Sequence, residues 1–290
     1  MKFLHLKGRW SKTAVGVIVA TVFLAVPALS EDRFELLDTR ELTVPGKALD
    51  LAVSPDGRWT FVLTSAGEVA VYDNSGRVIQ MLGTGSGYEQ LVYDSGGNKL
   101  VLVGPGKELK VLSLVMRFDI DSKSSPYRGT KGAPVTITVF SEFQCPYCAQ
   151  LVPVLEQVMD KYQGKVMLVF KNYPLRRHRM ARPAATAAMA ANKQGHFWKY
   201  HDRIFENYRN ISEEFLLTTA RELGLDMKRF EEDRKSVDIN NIINRDTQEA
   251  SRIGVRGTPS VFINGKRLDQ RSLEAFSTAI EKEIETARKS

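Results

Sequence analysis

Cys145 and Cys148 are the only cysteines of this 290-residue chain, and they enclose Pro146 and Tyr147. A CxxC pair either binds a metal with further ligands or exchanges disulfides. This pair follows an apolar, β-branched run at 135–140. It opens a stretch with helical period, in which Leu151, Leu155, Val158 and Met159 share one side. A sulfur at such a helix start faces unpaired N–H groups and the positive end of the helix dipole. Both favour the thiolate, so Cys145 is expected to ionise below the free value of about 8.5. Pro146 suits the first helical turn, where a missing N–H costs nothing. Cys148 lies one turn on, able to attack a mixed disulfide on Cys145. The expected roles are Cys145 as exposed nucleophile and Cys148 as resolving thiol, with Pro146 and Tyr147 tuning the pair.

Other uses of the two sulfurs fit less well. Zinc needs two more ligands, and beyond the first 30 residues only His178, His196 and His201 remain to supply them. No metal is expected. A purely structural disulfide would close a very short loop and add little stability. Two inert thiols would leave the proline at the helix start unexplained. No organic cofactor is implied; the redox group is the Cys145–Cys148 disulfide itself.

The chain around this motif is 43% hydrophobic and 26% charged, the composition of a folded soluble protein rather than a disordered one. Its length allows one large domain or two ordinary ones. The net charge of +7 falls to +3 without Lys2, Lys7, Arg9 and Lys12, so nucleic-acid binding loses its main support. Those four residues belong to a segment with the layout of a secretory signal peptide. A basic start is followed by an uncharged apolar run at 14–29, then Pro27, Ala28-Leu29-Ser30 and an acidic Glu31-Asp32. The run is shorter than the ~20 residues a membrane span prefers, so cleavage after residue 30 is expected over a membrane tether. The implied location is the bacterial periplasm, where disulfides persist.

Residues 31–120 read as an all-β domain. Short strand-like runs at 49–53, 59–64, 68–73, 77–82, 91–94, 99–104 and 108–114 alternate with turns such as Pro55-Asp56-Gly57 and Gly96-Gly97-Asn98. The segment 54–73 aligns with 94–113 at an offset of 40. This weak repeat resembles about two β-propeller blades. A closed propeller needs ~4–8 blades, so the chain cannot close one alone. Either the domain covers its own edges, or residues 31–120 pair with other copies in a homo-oligomer.

Residues 121–132 are polar and rich in Gly, Ser and Pro, and read as a linker. From 133 to 290 strands and helices alternate. After the CxxC helix come a strand at 165–170 and a helical region at 179–253 that begins rich in alanine. A hairpin at 260–269 turns on Asn264-Gly265, and a helix at 271–289 closes the chain. The order is α/β with a mixed sheet and a helical insertion.

Three segments carry a family resemblance. VTITVFSEFQCPYCAQLVPVLEQV (135–158) resembles the active-site region of the DsbA-like branch of the thioredoxin superfamily. Residues 170–205 resemble the start of that branch's helical insertion, and GVRGTPSVFING (254–265) resembles its cis-proline loop. The resemblance implies a thioredoxin-like fold with a helical insertion for 133–290, and thiol–disulfide exchange on proteins. It also implies a cis bond at Thr258-Pro259, facing the cysteines and pairing with the substrate backbone. One position departs from the pattern. Many relatives carry a buried acid six residues before the first cysteine, and here that residue is Val139. Proton handling then falls to water or to Glu142, which is expected near solvent. Lys171, whose counterpart pairs with the buried acid, is expected to lack that partner.

The implied partners are secreted cysteine-containing proteins and a redox partner that reoxidises or reduces the CxxC. Two alternatives keep the fold. One is an oligomeric disulfide isomerase or reductase working from the reduced state. The other is a binding or assembly factor with the β domain as recruiting module, which the intact CPYC and Thr258-Pro259 disfavour.

Overall fold

The computed structural model describes residue 39 and residues 41–94, 96 and 98–289; the signal peptide and cleavage expected from the sequence, and the first residues assigned to the β domain, lie outside the described residues. Two compact units divide the chain. One runs to Leu91 and takes in Val103–Glu108; the other comprises Val92–Leu102 and everything from Leu109 onward.

In the first unit, β1 (Ala48–Val53), β2 (Trp59–Thr64), β3 (Glu68–Asp73) and β4 (Val78–Gly83) form a four-stranded antiparallel sheet in sequence order. The turns do what their residues predict. Ser54 Oγ donates to Asp56 Oδ1 at 2.6 Å and accepts from Trp59 N at 3.0 Å, closing the first hairpin. The central strands bury Phe61, Val62, Leu63, Val69, Ala70, Val71 and Tyr72. β1 instead turns Leu49, Leu51 and Val53 outward, at exposures of 39%, 59% and 49%. Alternation places Leu51 and Val53 on one face of the strand, while the register shifts between Ala48 and Asp50, at Leu49.

A three-stranded sheet follows, with the order β5 (Gln90–Asp94), β6 (Lys99–Val103), β7 (Leu109–Ser113). Trp59 and Lys99 open β2 and β6 forty positions apart, at the offset of the sequence repeat. Both sheets are open.

The second unit is built on a five-stranded mixed sheet of order β12-β11-β9-β10-β8. Its strands are β8 (Tyr127–Gly129), β9 (Val135–Ser141), β10 (Val166–Asn172), β11 (Ser260–Ile263) and β12 (Lys266–Leu268). β9 and β10 are parallel and joined through α1 (Pro146–Lys161); the other pairs are antiparallel. On one face, α1 and the closing helix α7 (Leu273–Lys289) bury Val135, Ile137, Val139, Leu151, Val158, Phe276 and Ile280. On the other, α6 (Val237–Arg252) and the residues after it pack Ala250, Ile253 and Val255 against Phe140 and Phe262. Between β10 and β11 the chain also forms α2 (Ala181–Lys193), α3 (Phe197–Glu206), α4 (Glu213–Glu222) and α5 (Met227–Arg234). The alanines of α2 are almost wholly buried, and α3, α4, α5 and α6 all close on that helix.

The linker expected at 121–132 is corrected. Tyr127, Arg128 and Gly129 pair antiparallel with Val169, Leu168 and Met167 and supply the sheet's edge strand. The segment reads as polar because an edge strand needs only backbone bonds there, while Arg128 reaches out to Asp202 at 2.7 Å. Residues 109–120, assigned to the β domain from the sequence, cluster with the second unit. Arg117 donates to Glu283 Oε2 at 3.0 Å and to the Asn264 carbonyl at 2.9 Å, and the Phe118 ring meets Phe262 edge-on.

The hairpin turn makes this docking tight. Asn264 and Gly265 have φ of 46° and 78°, and a Cβ on Gly265 would lie 2.1 Å from the Phe118 carbonyl oxygen. Gly265→Ala is expected to lower stability by at least about 1–2 kcal/mol from its left-handed backbone alone, and further through the collision. Urea denaturation of the two proteins checks this, and an unchanged midpoint would refute the close approach.

Candidate active site

Cys145 ends the loop after β9 and caps α1 with extended backbone, φ −76° and ψ 118°. Pro146 takes the first helical position. The carbonyl of Cys145 accepts from Cys148 N and Ala149 N, both at 3.1 Å, so the first helical turn is closed. Across the site, the loop before β11 carries Thr258-Pro259, joined by a cis peptide bond. Cys145 Sγ lies 3.4 Å from the Thr258 carbonyl oxygen. Two further bonds fix this loop: Arg271 donates to the Pro259 carbonyl at 2.8 Å, and Ser260 Oγ donates to the Gly257 carbonyl at 2.8 Å. β9 and β11 are neighbours, with Phe140 opposite Ser260. The loops that follow one strand and precede the other therefore meet at one end of the sheet.

Both cysteines are free and buried. This corrects the expectation of an exposed Cys145: the Thr258 loop lies against its sulfur, and the exposed residues of the motif are Pro146 and Tyr147, the latter at 65%. What separates the two sulfurs is electrostatic. The Cys148 thiol donates to the Cys145 thiolate, which with the Thr258 side chain and the N–H groups of Cys148 and Tyr147 outweighs burial and holds the Cys145 pKa at about 5. Burial pushes the Cys148 thiol well up, and the neighbouring Cys145 sulfur pushes it further.

Glu142 is not near solvent. It is 1% exposed, accepts from Gln144 N at 2.8 Å, and is bonded to His178 Nδ1 through Oε1. Burial raises its pKa, the His178 and Gln144 contacts oppose that, and the Cys145 thiolate raises it again. No local pattern announces this pairing, since 36 residues separate the partners. The one clue was a histidine set among arginines.

Lys171 is not brought to the cysteines. It stands opposite Phe140 in the β9–β10 register and shares that residue's face of the sheet. Val139 and Phe170 face the other way and line a small cavity with Cys148 and Ser141. Lys171 does have acid partners, contrary to expectation. Its Nζ lies 2.6 Å from Asp246 and 2.9 Å from Glu249, and donates to the Asp121 carbonyl at 2.7 Å. Burial works against the Lys171 charge, but the two carboxylates outweigh it and raise its pKa.

The cavity behind Cys148 also holds a residue that sequence reasoning did not single out. His201 is buried among Phe143, Phe170, Phe197 and Phe205, with Nδ1 2.7 Å from Asp202. Burial lowers its pKa despite that carboxylate, which leaves a neutral imidazole.

The profile of the family described as Thioredoxin matches residues 121–282, more than half of the chain. The chain belongs to the thioredoxin family. The match begins at 121, which agrees with the placement of β8 in the sheet. Among curated relatives, "Probable disulfide bond formation protein D" of Bacillus cereus is 32% identical over 167 residues, 54% of this chain and 77% of that protein. "Na(+)/H(+) antiporter NhaA 3" of Salinispora tropica is 35% identical over 174 residues, 58% of this chain. The chain spans only about a quarter of the length of the antiporters it matches, 26% in that case. Among solved structures, a thioredoxin-like oxidoreductase from Silicibacter pomeroyi is 25% identical with a TM-score of 0.51, covering 58% of this chain and 94% of that one. BdbD from Bacillus subtilis shares the fold, at 21% identity and a TM-score of 0.53 over 59% of this chain and 98% of its own. The thioredoxin-family domain thus carries the all-β region as an addition to the matched part.

The asymmetry of the two sulfurs has a pH signature. The Cys145 thiolate absorbance is expected to titrate with a midpoint of about 5, and Cys148→Ala is expected to raise that midpoint by removing the S–H donor. A depressed pKa stabilises the folded dithiol fully above the unfolded value of about 8.5, and the contribution is lost as pH falls toward the folded value. The raised Cys148 pKa acts in the opposite sense, its contribution being lost as pH rises above about 8.5. Denaturation of the reduced protein is therefore expected to show stability rising between those two limits. A Cys145→Ser variant with the same rise would overturn the assignment.

Proposed function

We propose that this protein exchanges disulfides with cysteine-containing polypeptides through Cys145. The observation that carries this is the acidified Cys145 sulfur at the start of α1, beside the Thr258 carbonyl, with a protonated Cys148 next to it. In the oxidising direction, a substrate thiolate attacks Cys145 of the enzyme disulfide. The Cys145–Cys148 bond breaks, and Cys148 leaves and takes up a proton. A second substrate thiolate then attacks the substrate sulfur of the mixed disulfide and expels Cys145 as a thiolate. Two electrons pass from substrate dithiol to enzyme disulfide, and the substrate gains the disulfide. The low Cys145 pKa makes it a good leaving group. In reverse, the Cys145 thiolate attacks a substrate disulfide and Cys148 resolves the adduct.

Thr258 presents its backbone to an extended substrate segment, with Pro259 shaping the loop. Glu142 handles protons for the pair: it is buried, interacts with Cys145, and contacts His178, whose side chain is 23% exposed. Lys171 has no part in the exchange; it holds the sheet to α6. No cofactor beyond the disulfide is required, and turnover needs a partner that resets its redox state. The leader at 1–30 supports work in the periplasm. The name of the Bacillus cereus relative is in keeping with the same chemistry.

A second form of the activity, isomerisation from the reduced state by an oligomer, is favoured by the outward Leu49, Leu51 and Val53 of β1, which a second copy of the chain would cover. Light scattering at tens of micromolar is then expected to show more than one chain per particle, and Leu51→Lys to return a monomer. A monomeric wild type would remove this form.

For exchange itself, Cys145→Ser is expected to abolish activity and Cys148→Ser to accumulate reducible adducts with substrate on a gel. Equal activity of the two variants would sink the assignment.

A further inference from the structure

The segment 176–182, RRHRMAR, carries four arginines and no acid. It follows β10 and is fastened to the residues just before Cys145 at two points. His178 Nδ1 bonds Glu142, and Met180 N donates to Gln144 Oε1. Consecutive Cα atoms lie ~3.8 Å apart, so Arg177 and Arg179 sit directly beside the first of these anchors and Arg176 one position further. All three are exposed. On the other side of the sulfur, the exposed Arg256 lies two positions before Thr258, whose carbonyl is 3.4 Å from Cys145 Sγ.

Other arginines of this domain are neutralised: Arg234 by Glu213, Arg252 by Glu249 and Arg267 by Asp269. Among the described residues, Arg176, Arg177, Arg179 and Arg256 form no ion pair. α1 has no acid in its first turn, and the carboxylate nearest in sequence before Cys145, Glu142, is buried and engaged. Exposed arginines without ion pairs thus stand next in sequence to the contacts on both sides of the reactive sulfur, and the first turn of α1 adds no acid to offset them. Cations gathered around a cleft concentrate anionic partners there and speed their encounter. Charges at the rim act mostly on the rate of association and its salt dependence.

We propose that the polypeptide exchanged at Cys145 is selected by acidic side chains flanking its cysteine. This deepens the proposed exchange activity and rests on it. An extended segment advances ~3.4 Å per residue, so acids within a few residues on either side of the cysteine come abreast of both sets of arginines. A polypeptide fits better than a flat anionic surface, because these arginines accompany a buried sulfur that a single inserted cysteine must reach.

Three disulfide-bonded peptides, identical except for Asp, Ser or Arg around the cysteine, provide the test with the full chain. At low salt the Asp peptide is expected to react about tenfold faster than the Ser peptide, and the Arg peptide slower. The spread is expected to collapse near 0.5 M salt, where the screening length is only a few Å. The combined variant R176E/R177E/R179E/R256E is expected to invert the order and leave the Ser peptide within about twofold of wild type. The combined variant R176Q/R177Q/R179Q/R256Q is expected to abolish the order without inverting it. Equal rates for all three peptides, with normal exchange on the Ser peptide, overturn acid selection and leave exchange standing. No exchange with any peptide overturns both. Binding to phosphatidylglycerol vesicles that the Glu variant loses, with an unchanged peptide order, assigns the rim to a lipid surface and overturns the proposal.

Discussion

The contact of 3.4 Å between Cys145 Sγ and the Thr258 carbonyl joins positions 113 residues apart, and the rest of the domain exists to hold it. A carbonyl oxygen accepts from a thiol but not from a thiolate, so this contact alone would favour the protonated sulfur. The helix start reverses that preference. N–H groups of the first turn and the Cys148 thiol all donate toward Cys145, and its charge is distributed over several short dipoles. Cys148 has the opposite surroundings. Two identical side chains, one turn apart, therefore differ in ionisation because one sits at the end of the helix and the other beneath it.

The sheet makes the meeting of the two loops inevitable. β9 ends before the cysteines and β11 begins after the proline, and antiparallel pairing brings those ends together. Arg271 and Ser260 then remove the remaining freedom of the proline loop. On the β9 side, Glu142 and Gln144 bind the segment after β10, so three stretches of chain converge on one sulfur. Each uses backbone or buried polar contacts, which are directional, whereas the apolar packing beneath them is not.

Much of this was legible in the sequence wherever the signal was local. Strand runs, Gly-containing turns, the Asn264-Gly265 hairpin and the CxxC at a helix start all report on their own few residues. Non-local placement was not legible. The short polar strand β8 is held by pairing to β10, and nothing in Tyr127-Arg128-Gly129 announces that partner. Glu142 reads as a surface acid until His178 closes over it. Lys171 was tied to the cysteines through the fold resemblance, but period-two alternation turns it away from them. Its acids lie on α6, 75 and 78 positions along the chain, too far for any spacing rule to connect.

That buried cluster has a mechanical consequence. Lys171 on the sheet is bound at once to Asp246 and Glu249 on α6 and to the carbonyl of Asp121 on the incoming chain, while Asn172 N donates to Asp246 Oδ2 at 2.9 Å. An oily seam between helix and sheet tolerates sliding, because one methyl replaces another at little expense. A seam pinned by charge-assisted bonds has a single register, and a shift of one residue would strand buried ions. The helix leading to the proline loop is thus locked in phase with the strand beside the CxxC loop, and opening of the substrate site is confined to the loops and cannot proceed by shear of the layers.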